Sequence, residues 1–363
     1  MKILFGVQGT GNGHITRARA LEPHLRSAGV ELDFLFSGRA PDQYFDMEQF
    51  GNYRALGGLT FTTERGRINV LKTLVDNNLP QFIRDIRGLD LSSYDLILSD
   101  FEPITAWAAR LQKKTCINIR HQSAFNYAIP IEGDSFVTRA IMKWFAPAEI
   151  QIGLHWHHFG HPILPPMIDV TEQPLAAEKD KVVVYLNFES PQDVIPLLQK
   201  FPAKNFYYYG QHKQAEQMGN VFLRPLSRAG FQRDLASSEG VITNAGFELA
   251  SEALFLGKKI LVKPISGQME QHSNALALGR LGFGMTMNSL DESTIDAWLS
   301  APGNTRCIYP DVAKALAECI VRGDFKHYDE RQLTALSQQL WSATTMPSSE
   351  IKSTLIINDH ATS

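Results

Sequence analysis

A histidine follows glycines 9, 11 and 13 in GTGNGHITRA (residues 9–18), directly after the apolar run MKILFGV. An apparent strand, a glycine turn and a helix start make an anion site, because free N–H groups and the helix dipole converge there. The loop lacks Gly-Lys-Ser/Thr, which excludes a P-loop. Its spacing is G-x-G-x-G rather than G-x-G-x-x-G, and the second apolar run ends FSGRA, without the acidic residue that holds a ribose. Arg39 keeps a phosphorylated nicotinamide cofactor as a minor alternative. A tight turn that only lets the helix approach the sheet would explain the glycines, some of them with positive φ. It leaves His14 at the mouth of the loop unexplained.

A second cluster, LILSDFEP, supplies Asp100 and Glu102. Parallel strands one or two apart bring their carboxyl ends together, so His14 and Asp100 can meet. A carboxylate on one imidazole nitrogen fixes the tautomer and raises the basicity of the other, which suits a general base. Equally, Asp100 could cap the helix that starts near Pro103. Spacing alone does not decide between the two.

The elements that must carry these residues alternate along the chain. KILFGV (2–7), ELDFLFSG (31–38), DLILSD (95–100) and CINIRH (116–121) read as buried strands. Ile15, Ala18, Leu21 and Leu25 recur at helical spacing up to Gly29, with Pro23 predicting a kink or a late start. The scheme repeats in KVVVYLNF (181–188), FYYYG (206–210), GVITNAG (240–246) and KILVKP (259–264), with a helix over 246–257. The predicted fold class is α/β, with two doubly wound, Rossmann-like domains facing a central cleft. Expected boundaries are an N-terminal domain over 1–163, a proline-rich linker over 164–180 and a C-terminal domain over 181–325. Over 326–363 we expect a helix packing back toward the N-domain, then a flexible tail.

The chain has 363 residues, 44% of them hydrophobic and 20% charged, with a net charge of −3. That balance gives no electrostatic case for nucleic acid. Cys116, Cys307 and Cys319 form neither a disulfide framework nor zinc spacing. No secretory leader or membrane span is read, so a cytoplasmic protein is expected.

The stretch TNAGFELASEALFLGKKILVKPISGQMEQHSNALALGRLGFG (243–284) resembles the nucleotide-sugar signature of GT-B glycosyltransferases, with closest likeness to the MurG-like and UDP-sugar transferases. GTGNGH, SDFEP, IRHQSAFN and FGHPI follow the family's order, so the resemblance spans roughly 1–285. It implies a metal-independent, inverting transferase of hexosyl type, with a UDP-linked sugar as donor substrate, no resident cofactor and no bound metal. By the same resemblance His14 is the base and Asp100 its orienting partner. Gly11, Gly13, Asn244, Ala245, Gly246 and Phe247 face the donor nucleotide and diphosphate, and Glu252 accepts from the ribose hydroxyls. Glu270 and Gln271 contact the donor sugar, while Glu102, His121 and Gln122 lie on the acceptor side. Asn244 stands where plant-type members carry His, Leu249 where a hydroxyl often holds phosphate, and Lys258 and Lys259 replace an apolar-Pro pair. The phosphate contacts are therefore expected to be mostly backbone. Without a ligand, Glu252 would be a solvated helix-face residue beside Glu248 at i,i+4, an unfavourable pairing of like charges.

HWHHFGH (155–161) superficially suggests metal, but it lacks carboxylate and thiol and reads as a structural or hinge segment. The segment 125–147 carries aromatic and basic residues suited to a bilayer or a lipid-linked acceptor; a buried helix is the favoured reading. Peripheral contact with the inner face of a membrane stays open. A nucleotide-sugar hydrolase, an epimerase and a non-catalytic sensor are the rival functions, and the fold does not separate them.

Overall fold

Apolar runs bounded by turn residues become strands at the expected places. The computed structural model describes residues 1–60, 63–64, 67–68, 78–169, 175–303, 306–323 and 330–347. In the first half these are β1 (Lys2–Gln8), β2 (Glu31–Ser37), β3 (Arg54–Leu56), the short antiparallel pair β4 (Thr63–Glu64) and β5 (Arg67–Ile68), then β6 (Leu96–Asp100), β7 (Cys116–Arg120) and β8 (Ile150–Gly153). Helices α1 (Asn12–Ser27), α2 (Leu79–Gly88), α3 (Pro103–Gln112) and α4 (Phe136–Trp144) connect them. The sheet order is β3-β2-β1-β6-β7-β8, parallel throughout. Ile3 to Val7 and Ile97 to Asp100 are buried, as strands covered by helices on two faces require.

The second half gives β9 (Lys181–Tyr185), β10 (Asn205–Gly210), β11 (Glu216–Met218), β12 (Val221–Pro225), β13 (Gly240–Asn244), β14 (Lys259–Lys263) and β15 (Met285–Thr286). Its helices are α5 (Pro191–Leu198), α6 (Arg228–Ser237), α7 (Phe247–Phe255), α8 (Met269–Arg280), α9 (Glu292–Ser300), α10 (Val312–Arg322) and α11 (Glu330–Ser342). The order β11-β12-β10-β9-β13-β14-β15 is parallel except for the edge strand β11. Each sheet is doubly wound about its first strand, as expected from the sequence. The direction of winding reverses between β1 and β6, where Val7 pairs with Asp100, and between β9 and β13, where Thr243 pairs with Tyr185. Such switch points open a crevice at the carboxyl ends of the strands.

Pro23 neither delays α1 nor ends it, since the helix runs from Asn12 through Ser27. A proline inside a helix leaves the carbonyl four residues earlier without its donor. That carbonyl, on Arg19, accepts instead from the Gln49 side-chain amide at 3.0 Å. The start of the proline-rich stretch is core rather than exposed spacer: residues 163–167 are buried, and Leu164 N–H donates to the Gly153 carbonyl at 2.9 Å. The rest of that stretch falls partly on residues 170–174, and the expected tail on 348–363, both outside the described residues.

Helix α11 buries Leu333, Leu336 and Leu340, and it directs Ser337 Oγ and Trp341 Nε1 onto the Ile163 carbonyl at 2.8 and 2.7 Å. The histidine-rich segment makes turns. Nδ1 of His155, His157 and His158 accepts from the backbone N–H of Trp156, Phe159 and Gly160. Burial holds these imidazoles below their ordinary pKa, His157 at about 4. Helix α4 corrects the buried-helix expectation. None of its described side chains is buried, Phe136 is 88% exposed and Trp144 45%. Among the described residues no helix is long and apolar enough to cross a membrane.

Removing the amide that serves the Arg19 carbonyl should cost about 1 kcal/mol, the net worth of one such hydrogen bond. Urea unfolding of Gln49→Ala is the measurement, and an unchanged midpoint would show that solvent serves the carbonyl equally well.

Candidate active site

The first switch point brings His14, in the first turn of α1, to Asp100 at the end of β6. Nδ1 of His14 lies 2.7 Å from Asp100 Oδ1. One helical turn further on, Arg17 donates to the same carboxylate from Nε and Nη2, at 2.6 Å to Oδ2 and 2.8 Å to Oδ1. Its third nitrogen, Nη1, crosses to the second half of the chain and donates to Glu248 Oε1 on α7 at 2.5 Å. Asp100, Arg17 and Glu248 are all buried. Burial opposes the Asp100 charge, but Arg17 and then His14 outweigh it and lower the pKa, so the carboxylate stays ionised. Burial likewise opposes the Arg17 charge, and Asp100 and Glu248 raise its pKa instead. At Glu248 burial wins over Arg17 and pushes the carboxyl up to about 7.

This chain fixes the imidazole tautomer. An ionised carboxylate can only accept, so the proton between Asp100 and His14 belongs to Nδ1. Arg17 Nη2 also lies 2.6 Å from Nδ1 and gives one of its two hydrogens to Asp100 Oδ1; the ionised oxygen 2.7 Å from Nδ1 is what favours the Nδ1–H form. Nε2 therefore keeps its lone pair, and it has no hydrogen-bond partner among the described residues. The sequence reading passes over Arg17, although its i,i+3 spacing from His14 on a helix was the available signal.

The glycines work by space rather than by unusual backbone. None of Gly9, Gly11 and Gly13 has positive φ, which corrects that expectation. A Cβ on Gly9 would sit 2.2 Å from the Tyr44 hydroxyl, and one on Gly13 3.0 Å from Glu248 Cγ. A Cβ on Gly11 would meet nothing within 4 Å, so this position faces open space. Beside it, Asn12 Nδ2 donates to the Tyr185 hydroxyl at 3.0 Å. Tyr185 ends β9 at the second switch point, so the two crevices adjoin.

At that second switch point α7 starts from Gly246 with no side-chain cap, and a Cβ there would also face open space. The Gly246 N–H is spent on the Asn244 carbonyl at 2.7 Å, but the first N–H groups of a helix lack intrahelical partners, which leaves an anion site at the amides from Phe247 onward. Asn244 is turned inward, with Nδ2 on the Lys263 carbonyl at 3.0 Å, and the Ala245 carbonyl accepts from Asn274 at 3.0 Å. Glu252 is buried rather than solvated and has no hydrogen-bond donor among the described residues. Burial, then Asp169 and Glu248, push its carboxyl well above the usual range. Nor do Glu248 and Glu252 form a simple like-charge pair, because Glu248 is matched to Arg17 from the other half.

Four expectations need correction. Glu102 does not face an acceptor: it is fully buried and caps α3, accepting from Ile104 N–H, Thr105 N–H, Thr105 Oγ1 and Ser37 Oγ at 2.9, 2.6, 2.6 and 2.6 Å. The cap considered for Asp100 thus belongs to Glu102. His121 is fully buried too, with Nδ1 on the Leu154 carbonyl at 2.8 Å, Nε2 on Asn274 Oδ1 at 2.6 Å and its ring stacked 4.1 Å from Phe247. It joins the two halves and cannot reach an acceptor. Gln122 spends its amide nitrogen on Glu270 Oε2 at 3.0 Å, again between the halves. Gln271 directs Oε1 to the Ile265 N–H at 2.9 Å, shaping its own loop instead of presenting that oxygen to a sugar. Glu270 carries only the contact with Gln122 among the described residues. No group of three or more metal-ligating side chains occurs among those residues.

A family model described as glycosyl transferase family 1 matches residues 1–302. The chain belongs to that family. It is a glycosyltransferase with the GT-B fold. Comparison with curated proteins finds no match. Among solved structures, spinosyn forosaminyltransferase SpnP is 13% identical with a TM-score of 0.53, covering 94% of this chain and 99% of its own. The glycosyltransferase SnogD from Streptomyces nogalater is 16% identical with a TM-score of 0.50, covering 93% and 99%. SsfS6 from Streptomyces sp. SF2575, solved with thymidine diphosphate, is 13% identical with a TM-score of 0.51, covering 94% and 96%. At these identities the likeness concerns the fold.

The two glutamates on α7 should separate in stability measurements on this glycosyltransferase. Glu248→Ala strips Arg17 of a buried partner and should cost about 3 kcal/mol in urea unfolding. Glu252 has no such cation to strand. A carboxyl whose folded pKa lies above its unfolded value binds its proton more tightly in the folded state, so it costs stability as pH rises through the carboxylate range. Glu252→Gln should therefore stabilise the protein at neutral pH and converge with wild type below about pH 4. Equal destabilisation by both substitutions would refute the contrast.

Proposed function

We propose that this glycosyltransferase moves a sugar from a nucleoside diphosphate donor, UDP-linked by resemblance, to an acceptor hydroxyl. The observation that carries the reading is the His14–Asp100–Arg17–Glu248 chain, which ends in an unpartnered imidazole Nε2 beside an open glycine turn. His14 takes the proton of the acceptor hydroxyl as its oxygen attacks the anomeric carbon, and Asp100 holds the Nδ1–H tautomer and stabilises the imidazolium formed. The bond from the anomeric carbon to the diphosphate oxygen breaks, and the leaving charge falls on the N–H groups at the start of α7. Attack opposite the leaving group inverts the anomeric centre. Glu252, desolvated and unpartnered beneath the same helix, suits a ribose diol that supplies donors. The exposed Phe136 and Trp144, flanked by Arg139 and Lys143 on α4, suit an acceptor carried at a membrane surface.

A panel of UDP- and TDP-sugars, incubated with and without cell extract, tests this by nucleotide release. Release that requires extract is expected; release without it would favour hydrolysis, and binding without release a sensor. His14→Ala should abolish transfer while leaving nucleotide affinity nearly intact, because its contribution belongs to the transition state. Glu252→Ala should weaken nucleotide binding by about 2 kcal/mol in calorimetry, the loss of its hydrogen bonds to the two ribose hydroxyls. Full activity in His14→Ala would remove the base from the mechanism.

A further inference from the structure

Arg120 ends β7, next to the strand that ends in Asp100, and it is 1% exposed. Its Nε donates to Ser123 Oγ at 3.0 Å, and Nη2 donates to the Met142 carbonyl at 3.1 Å and Gln151 Oε1 at 3.3 Å. All these acceptors are neutral. Nη1, with its two N–H groups, has no hydrogen-bond partner among the described residues. The nearest carboxylates are committed elsewhere, Asp100 to Arg17 and His14, Glu270 to Gln122. Burial lowers the Arg120 pKa to about 10, which still leaves a full positive charge at neutral pH. A buried, uncompensated cation is expensive, and its unmade hydrogen bonds add to the cost.

Two side chains along the same segment share the pattern. Asn118, two residues earlier and on the same strand face, donates Nδ2 to the Ala146 carbonyl at 2.7 Å while its Oδ1 has no partner among the described residues. Gln122 reaches Glu270 with its nitrogen while its Oε1 has none among the described residues. The unmade bonds therefore comprise a charged donor flanked by two neutral acceptors. The guanidinium lies 5.1 Å from the ring centroid of Phe101, whose ring is 6.1 Å from that of His14. Phe101 holds φ of +56°, a strained setting for an aromatic residue and one that clusters at functional sites. One phenyl ring thus separates the unpaired cation from the imidazole.

We propose that Arg120 binds an acidic group, carboxylate or phosphate, on the acceptor, with Asn118 accepting from a hydroxyl beside it. The proposal rests on the transferase reading for calling this the acceptor side. An anion at Nη1 would complete the guanidinium's hydrogen bonding and balance its charge. It would also anchor the acceptor across Phe101 from the base. Arg120 donates to the Met142 carbonyl of α4, a helix with no buried side chain among those described, and an acceptor would reach Nη1 by displacing it.

Calorimetry with glucuronate, glucose 6-phosphate and glucose, each with and without UDP, tests this directly. Either acid should bind wild type at least about tenfold more tightly than glucose, the worth of a charge-assisted hydrogen bond. Arg120→Gln should erase that preference with UDP affinity unchanged, and Arg120→Lys should retain part of it. Equal affinity for acids and glucose in wild type would overturn the proposal, as would an acid preference that survives in Arg120→Gln. Should Arg120→Gln fail to fold, the wild-type comparison and the Lys variant still decide. A preference for UDP-glucuronate over UDP-glucose that vanishes in Arg120→Gln would place the acid on the donor and overturn the acceptor assignment. These are binding measurements, so they stand whether or not the nucleotide-release panel shows transfer.

Discussion

Every nitrogen of the Arg17 guanidinium is committed to a carboxylate, and those carboxylates come from different halves of the chain. Nε and Nη2 fix Asp100 and Nη1 fixes Glu248, all under 3 Å. A planar fork can hold one carboxylate in two-point register while reaching a second; a lysine ammonium has no fixed geometry of this kind. Because α1 begins at Asn12, His14 and Arg17 stand one turn apart on the same face, so the group that orients Asp100 and the group oriented by it travel together. The imidazole tautomer, the seat of Gly13 against Glu248 and the placement of α7 against α1 all follow from that one side chain.

The same pairing explains which buried charges this cleft tolerates. Asp100 remains ionised at complete burial because Arg17 and His14 surround it. Glu252, on the same helix as Glu248 but without a cation in contact, is driven toward its neutral form. The two glutamates differ by one helical turn and by access to a single guanidinium. Electrostatics within α7 is therefore set by α1, a helix more than two hundred residues earlier in sequence.

Much of the fold was legible because parallel strands are continuous apolar runs and their termini carry small or polar residues. The switch points followed from strand order, and with them the meeting of His14 and Asp100. What spacing could not resolve was which carboxylate of SDFEP caps the next helix. The left-handed turn at Phe101 settles it: reversing the backbone there leaves Asp100 facing the crevice and swings Glu102 onto the amides of α3. His121 and Gln122 were misread for another reason. Their partners, Asn274 and Glu270, lie some 150 positions away in the other half, and no local pattern encodes a contact between domains. Helix α4 failed differently, since an amphipathic aromatic segment has the same periodicity whether its apolar face meets a core or remains uncovered.

Arg17 and Arg120 offer a comparison within one crevice. Each is almost fully buried and each approaches Asp100, one on the helix after β1 and the other at the end of β7. Arg17 gives a hydrogen bond from each of its three nitrogens to a carboxylate and is raised in pKa; Arg120, among the described residues, donates to neutral oxygens and is lowered. If buried arginines here served packing alone, the second would be dispensable, because a neutral side chain could hold Ser123, Met142 and Gln151 without the cost of a bare charge. The cation is retained beside Phe101, one ring from the imidazole, with unmade hydrogen bonds on either side of it in sequence. A full charge carried at that cost, and at that place, is the mark of a group whose counter-charge arrives with the substrate.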